Sequence, residues 1–279
     1  GSNDSDSDDT FAYYDAAPCH NHFCPLFQRV APPFLAATCA TAVLATGALL
    51  VALARRPQAW RWPRSPALVA QLALGTALFA ALLPALTAGI ARGWHLGTGP
   101  CRLTHLVWHW SLFAQALLVA SGFCGTTWAH WDPRSRRLAV ALWAVALLLA
   151  TPAALVSGVA AGTACVRRSV DVLAPAYLLH LSLSLCLLLL LPAGLLLATL
   201  AVPRLRARWV AGAGVSWLFL GLWAPYGAGL AGEFLLQAQL LEPTCGSFER
   251  FDLALGLSEG LGVLHCGLGP LALLLAWRC

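Results

Sequence analysis

Lysine and methionine are absent from this chain, and only 10% of its 279 residues are charged. Each scarcity excludes something. Without lysine there is no Schiff base to a carbonyl cofactor, so a retinal-binding helical bundle is ruled out. With 59% hydrophobic residues and a mean hydropathy of +0.72, the chain has far more apolar surface than a soluble fold of this length hides, and it reads as a membrane protein. The apolar stretches hold few charges and show no inverted repeat, which argues against a transporter. The ten cysteines contain no Cys-x-x-Cys pair and no zinc-ribbon spacing.

What is present is a succession of apolar runs divided by arginine, proline and loop residues, at 28–54, 66–91, 101–129, 137–160, 171–202, 208–236 and 248–277. About 20 apolar residues cross a hydrocarbon core of roughly 30 Å. The runs are rich in Leu and Ala, good helix formers, and lipid forces each segment to satisfy its own backbone. The expected fold is an all-α membrane protein, a bundle of seven transmembrane helices. Arg55, Arg56, Arg61 and Arg64 follow segment 1, Arg134, Arg136 and Arg137 follow segment 3, and Arg204, Arg206 and Arg208 follow segment 5. Those loops are expected to be cytoplasmic, which puts the N-terminus outside. Arg29, Arg92, Arg102, Arg167, Arg168 and Arg250 fall on the other side, so the bias is imperfect.

The organisation expected is an extracellular arm over 1–27 and a helical domain over 28–279. The arm has neither the basic region nor the apolar core of a signal peptide. Asp4, Asp6, Asp8, Asp9 and Asp15 surround Tyr13 and Tyr14 in a stretch too polar to bury itself. Such an arm attracts a basic partner by electrostatic steering, and tyrosines among acids favour sulfation; a solvated tail without function is the competing reading. Asn3-Asp4-Ser5 is a glycosylation acceptor pattern. Cys279, beside the last span, is either a palmitoylation site or an unmodified thiol.

Cys39, Cys124, Cys186 and Cys266 fall inside apolar spans, where cysteine packs as a small hydrophobe. Cys19, Cys24, Cys101, Cys165 and Cys245 lie on the outer side, where disulfides form, and five is an odd number. His105 and His109 stand at i and i+4 on one helix face, as metal ligands can. A seven-span zinc hydrolase would need more ligands than Asp252 and Glu259 supply, so no metal and no cofactor is expected.

Several motifs carry a resemblance. Trp223-Ala224-Pro225-Tyr226 matches the Trp-x-Pro-Tyr of helix 6 in the rhodopsin-like receptor superfamily, Pro192 the helix 5 proline, Trp143 the helix 4 tryptophan, and Pro84 a helix 2 proline of chemokine receptors. Glu259, Leu264-His265-Cys266 and Pro270 resemble helix 7 of those receptors. Leu68-Val69-Ala70-Gln71-Leu72-Ala73 and Phe113-Ala114-Gln115-Ala116-Leu117-Leu118 are similar to the atypical chemokine receptors of the Duffy antigen type. The departures concern polar machinery. Ala48 stands for the helix 1 Asn, Thr76 for the helix 2 Asp, Gly125-Thr126-Thr127 for Asp-Arg-Tyr, and Gly269 and Leu273 for the Asn and Tyr of Asn-Pro-x-x-Tyr. Buried charges in a bundle are costly and are retained for a role; here they are missing together.

The resemblance implies a receptor that binds chemokines of more than one class and scavenges, transports or buffers them without G-protein coupling, at the plasma membrane with endosomal recycling. No catalysis and no nucleic acid partner is expected; lipids and chemokines are, and a homo- or hetero-oligomer is left open. It implies a Cys101–Cys165 bridge and a second from Cys245 to Cys19 or Cys24, with Cys19 favoured because Ala17-Pro18-Cys19-His20 resembles the family's own stretch. Tyr13, Tyr14 and Asp15 would make a first contact, and Glu259, Glu233, His105, Trp108 and His109 a second. A conventional chemokine or peptide receptor is the main alternative and a seven-span zinc hydrolase a minor one.

Overall fold

The computed structural model describes residues 23–55, 66–125, 136–160, 164–166, 174–202, 214–238, 240 and 244–278. Among them the chain crosses the bundle seven times. Helix α1 runs Cys24–Arg55, beginning four residues before the expected span. The second crossing is broken in two: α2 is Pro66–Ala80, α3 is Leu83–Arg92, and Ala81 and Leu82 form a turn between them. Pro84 is the cause, because it has no N–H to give and sits comfortably only in the first turn of a new helix. Helix α4 is Thr98–Gly125 and α5 is Arg136–Leu155.

Segment 4 is expected to run to residue 160, and the structure corrects that. After Leu155 the chain forms a hairpin whose strands β1 (Gly158–Ala160) and β2 (Ala164–Val166) pair antiparallel, with Val159 opposite Cys165. The expected bridge is present: Cys165 is bonded to Cys101 at the outer end of α4. Arg102 Nε also donates to the carbonyl of Ser157 at 3.2 Å, fixing the hairpin's root.

The fifth crossing comprises α6 (Pro175–Leu185), a π-helical turn over Cys186–Leu190, and α7 (Leu191–Ala201). Pro192 explains the π turn, since its ring would clash with the carbonyl four residues back and a widened turn relieves it. Helix α8 is Gly214–Gln237, with Pro225 inside it. The last crossing is α9 (Cys245–Val263) and α10 (His265–Arg278), joined at Leu264. Thr244 and Ser247 cap α9 reciprocally: Ser247 N–H donates to Thr244 Oγ1 and Thr244 N–H to Ser247 Oγ.

Six of the crossings are long and apolar enough to span a membrane by hydropathy. Helix α8, which holds Trp217, Trp223, Pro225, Tyr226, Glu233 and several glycines, is not among those six. Its 24 residues still reach about 36 Å, and it packs against α9, α10 and the π turn. Helix α4 is the central post, with Ser111, Leu112, Phe113 and Ala114 fully buried. Outward-facing Leu44 and Leu148 are 73% and 72% exposed, which water would penalise and lipid does not. Trp143 ties three helices: its Nε1 donates to Gln71 Oε1 at 2.6 Å, and its carbonyl accepts from Trp110 Nε1 at 3.0 Å.

Candidate functional site

The outer half of the bundle ends on an aromatic floor. Phe79 and Trp108 approach to 4.2 Å between ring centres, Trp108 meets Trp223 edge-on at 6.3 Å, and Trp223 meets Tyr226 and His265 at 5.6 Å each. Trp223 and Tyr226 are fully buried. Glycine makes the close approach possible. A Cβ on Gly262 would lie 2.7–2.8 Å from three Trp223 ring carbons, so only hydrogen fits between α9 and that indole. Gly262→Ala is therefore expected to cost about 1–3 kcal/mol by overpacking. Gly269→Ala, whose Cβ meets nothing within 4 Å, should cost much less; thermal melting in micelles separates the two.

Helix α9 forms one wall of the mouth. Phe251 and Leu255 pack on Gly232 and Gly229 of α8, while Gly256 receives the Phe27 ring of α1. At 100° per residue, Asp252, Glu259 and Val263 share the face between those two contacts. Val263 on that face is buried at 1%, so it is the interior face, and Asp252 and Glu259 stand half-buried above Val263. Glu233, near the outer end of α8, is 6% exposed. Carboxylates from two helices therefore stand in the outer half of the bundle. Read along the chain, Asp252 is no more than a metal partner for the α4 histidines, although its seven-residue spacing from Glu259 already puts both on one face.

The α4 residues divide between two directions. Trp108 is 6% exposed within the aromatic floor, and among the described residues its buried Nε1 has no hydrogen-bond partner. His109, one residue on, is 1% exposed; its ring lies 4.7 Å from His180 of α6 and 5.7 Å from Phe113. His105 is half-buried at the outer end. One of its ring nitrogens lies within 4.8 Å of the sulfurs of Cys101 and Cys165. Those sulfurs are bonded to each other and offer no thiolate to a metal.

Cys245 is in a disulfide and Cys24 is a free thiol. The expected partner Cys19, like Asn3, Tyr13, Tyr14, Asp15, Thr126 and Thr127, lies outside the described residues.

Below the floor lies a cavity of ≈ 30 Å³, room for a water molecule or two. Its polar lining is Thr76, Gln115 and His265; Leu49, Val119, Phe219, Gly269 and Leu273 complete much of the rest, and no lining residue carries a formal charge at neutral pH. Thr76 Oγ1 donates to Gln115 Oε1 at 3.3 Å and Gln115 Nε2 donates to the Ser111 carbonyl at 3.2 Å. Gln115 folds onto Gly75, where a Cβ would stand 2.6 Å from its Cγ. Of the positions marked as lost polar machinery, Thr76, Gly269 and Leu273 meet here. Ala48 does not: it is exposed, and Leu49, a 100° step further round α1, lines the cavity instead. Gly125 closes the inner end of α4.

His265 connects the two layers. Its Nδ1 lies 2.8 Å from the Gly262 carbonyl and 3.1 Å from Trp223 Nε1. A single nitrogen either donates to the carbonyl or accepts from the indole, so the histidine tautomer decides which it serves.

No family model matches the chain. It is 35% identical over 272 residues to atypical chemokine receptor 1 of Bos taurus, covering 95% of this chain and 79% of that protein. The Homo sapiens protein of the same name is 34% identical over 275 residues, covering 93% and 77%. The Mus musculus one is 33% identical over 273 residues, covering 93% and 78%. Identity of this order along nearly the whole chain settles the family: the chain belongs to the atypical chemokine receptor 1 family.

Proposed function

We propose that this chain captures chemokines of more than one class at the plasma membrane and scavenges, transports or buffers them, recycling through endosomes, without G-protein coupling and without catalysis. The carboxylates in the outer half of the bundle are the observation that carries the binding half. Chemokines are basic, and Glu259 on the interior face of α9, with Glu233 on α8, presents acid to a ligand's ammonium terminus. The arm residues Tyr13, Tyr14 and Asp15 make the first contact with the ligand's folded body. Trp108, His105 and His109 shape the α4 wall.

The uncharged cavity under the floor supports the non-signalling half. In the receptors this chain resembles, helices 1, 2 and 7 hold polar and charged groups there, and a ligand above acts on the inner face through them. Here the corresponding space offers an amide, a hydroxyl and an imidazole among aliphatic side chains. Ligand binding energy is spent on retention.

The test is a panel of labelled basic chemokines of both main classes, with guanine-nucleotide exchange and arrestin recruitment read on the same cells. Binding across classes with no exchange is expected. Robust exchange would make this a conventional receptor. Glu259→Gln should weaken binding by about tenfold or more with an unchanged melting temperature, because it keeps the side chain's size and removes its charge. Unaltered affinity would remove Glu259 from the site.

A further inference from the structure

Where α2, α4 and α5 meet at the membrane-facing side of the bundle, one polar group is only half satisfied. Trp143 Nε1 donates to Gln71 Oε1 at 2.6 Å, which fixes the end of the amide that faces the indole. The other end, Gln71 Nε2, carries two hydrogens and has no hydrogen-bond partner among the described residues. Gln71 is half-buried, and Ala67 and Leu74, four residues before it and three after it on α2, are both exposed. Trp143 likewise stands between exposed Val140 and Leu147 of α5. The amide therefore borders the stripes that meet lipid, where water is scarce and an unpaired N–H is costly. Lipid must bring the acceptor.

Depth and charge identify that lipid. Gln71 is five residues inside the start of α2 and Trp143 seven inside the start of α5. Those steps put them about 7.5 and 10.5 Å from the end of the bundle opposite the disulfide-bonded hairpin. Lipid oxygens occur only near the edges of a hydrocarbon core roughly 30 Å thick, so the acceptors within reach are the ester carbonyls of a glycerolipid or the hydroxyl of a sterol. The arginines decide between the two. Arg136 and Arg137 open α5 at that same end, and Arg136, seven residues before Trp143, falls within about 20° of it around the helix. Arg137 is exposed, and its guanidinium has no partner among the described residues. Unpaired arginines at a membrane edge attract phosphate, which a sterol lacks and a phospholipid carries just outside its ester groups. The surface beside the amide is held still for an acyl chain. The half-buried rings of Trp110 and Trp143 meet at 85° with centres 5.6 Å apart, and Trp110 Nε1 donates to the Trp143 carbonyl at 3.0 Å.

We propose that Gln71, Trp143 and the arginines opening α5 form a binding site for one glycerophospholipid of the leaflet at that end. Its ester carbonyl accepts from Gln71 Nε2, and its phosphate is drawn to the Arg136–Arg137 end of α5. The site does not depend on the chemokine reading.

The test exploits a pair of lipids. A diacyl phosphatidylglycerol and its dialkyl ether analogue share headgroup, charge and chain length, and only the first has ester carbonyls. The full chain, stripped of lipid in detergent micelles, is titrated with each, and bound lipid is counted by native mass spectrometry. One diacyl lipid per receptor is expected, held about threefold to tenfold more tightly than the ether analogue, the worth of one hydrogen bond. Gln71→Met keeps the side chain's length and removes both polar atoms. It should bring the diacyl affinity down to that of the ether lipid and leave the ether lipid within about twofold, whereas damage to the fold would lower both together. Arg136→Gln combined with Arg137→Gln should weaken the two lipids alike, by about threefold or more. Should Gln71→Met fail to fold, the ester-to-ether ratio of the parent decides. Equal affinity for the two lipids in the parent, a parallel loss of both in Gln71→Met, no effect of the arginine pair, or displacement of the diacyl lipid by equimolar cholesterol overturns the site.

Discussion

A receptor carrying Cys101→Ser and Cys165→Ser together is expected to lose about 2–4 kcal/mol of stability and most of its chemokine binding. The double change avoids a leftover thiol. The bridge spans 64 residues of sequence, for which a chain-entropy estimate in water gives roughly 4 kcal/mol. That figure is an upper bound here, because α4 and α5 remain inserted when tertiary packing is lost and the unbridged loop explores less space than a free coil. The structural consequence is local. Strand β2 carries Cys165, β1 pairs with β2, and Arg102 holds Ser157, so the hairpin is anchored at one side by the disulfide and at the other by the Arg102–Ser157 hydrogen bond. Without the bridge the hairpin separates from α4, the outer end of α4 loses its cover, and His105 is opened to water. Surface expression, micelle melting and chemokine binding check the expectation together. Wild-type melting with intact binding would show that the hairpin is held by its packing and that the bridge is dispensable.

The seven crossings were legible because lipid imposes length and apolarity on each segment, and the proline and tryptophan anchors fixed their order. Detail inside the crossings was less so. The π turn before Pro192 and the break before Pro84 follow from a missing N–H, but whether a helix widens or stops there depends on its neighbours. Gly227 of α8 leaves room for the π turn, with Leu188 backbone 3.2 Å from where a Cβ would stand. The hairpin reads as the end of segment 4 because Gly158-Val159-Ala160 is as apolar as the helix before it; only pairing with Ala164–Val166, held by the disulfide, turns it aside.

At the candidate site the chain's order hid what the fold joins. His180 lies 71 positions beyond His109, with no periodicity linking the two, yet their rings touch. Gln115 stands within a patch recognised by resemblance, and its role in filling the space beside Thr76 depends on Gly75 in a different helix. Ala48 and Leu49 differ by one position, and a motif match on helix 1 cannot resolve which faces inward without the helix's rotation. Glu259, by contrast, was singled out by its place in the helix 7 motif, and the structure leaves it half-buried on the face of α9 that carries Val263.

Thr76→Asp, which restores the helix 2 carboxylate, is expected to destabilise the receptor by about 3 kcal/mol and to restore no signalling. Aspartate nearly matches threonine in size, so packing changes little; what changes is charge at mid-membrane depth, where a carboxylate costs roughly 2.5–3.5 kcal/mol on insertion scales. The cavity compensates it poorly: besides Gln115 the lining offers the His265 imidazole as a donor, and its Nδ1 already faces the Gly262 carbonyl and Trp223 Nε1. Gln115 Nε2 already donates to the Ser111 carbonyl, and its oxygen, which now accepts from Thr76, would face the new charge. Leu49, Val119 and Leu273 supply no donor, and Gly269 supplies no side chain at all. Thr76→Asn keeps the size and stays neutral, so it should melt within a few degrees of the parent, since exchanging one neutral hydrogen bond for another changes stability by only about 1 kcal/mol. Sodium gives an independent readout. Exchanging choline for sodium should not move the parent's melting temperature, because nothing lining its cavity carries a formal charge, whereas Thr76→Asp should be partly rescued by the cation it now attracts. Nucleotide exchange should stay absent in all three, since Gly125 and Gly269 are unchanged. If Thr76→Asp melts with the parent, the cavity is better hydrated than its lining implies, and the account of an uncharged layer that uncouples mouth from inner face fails with it.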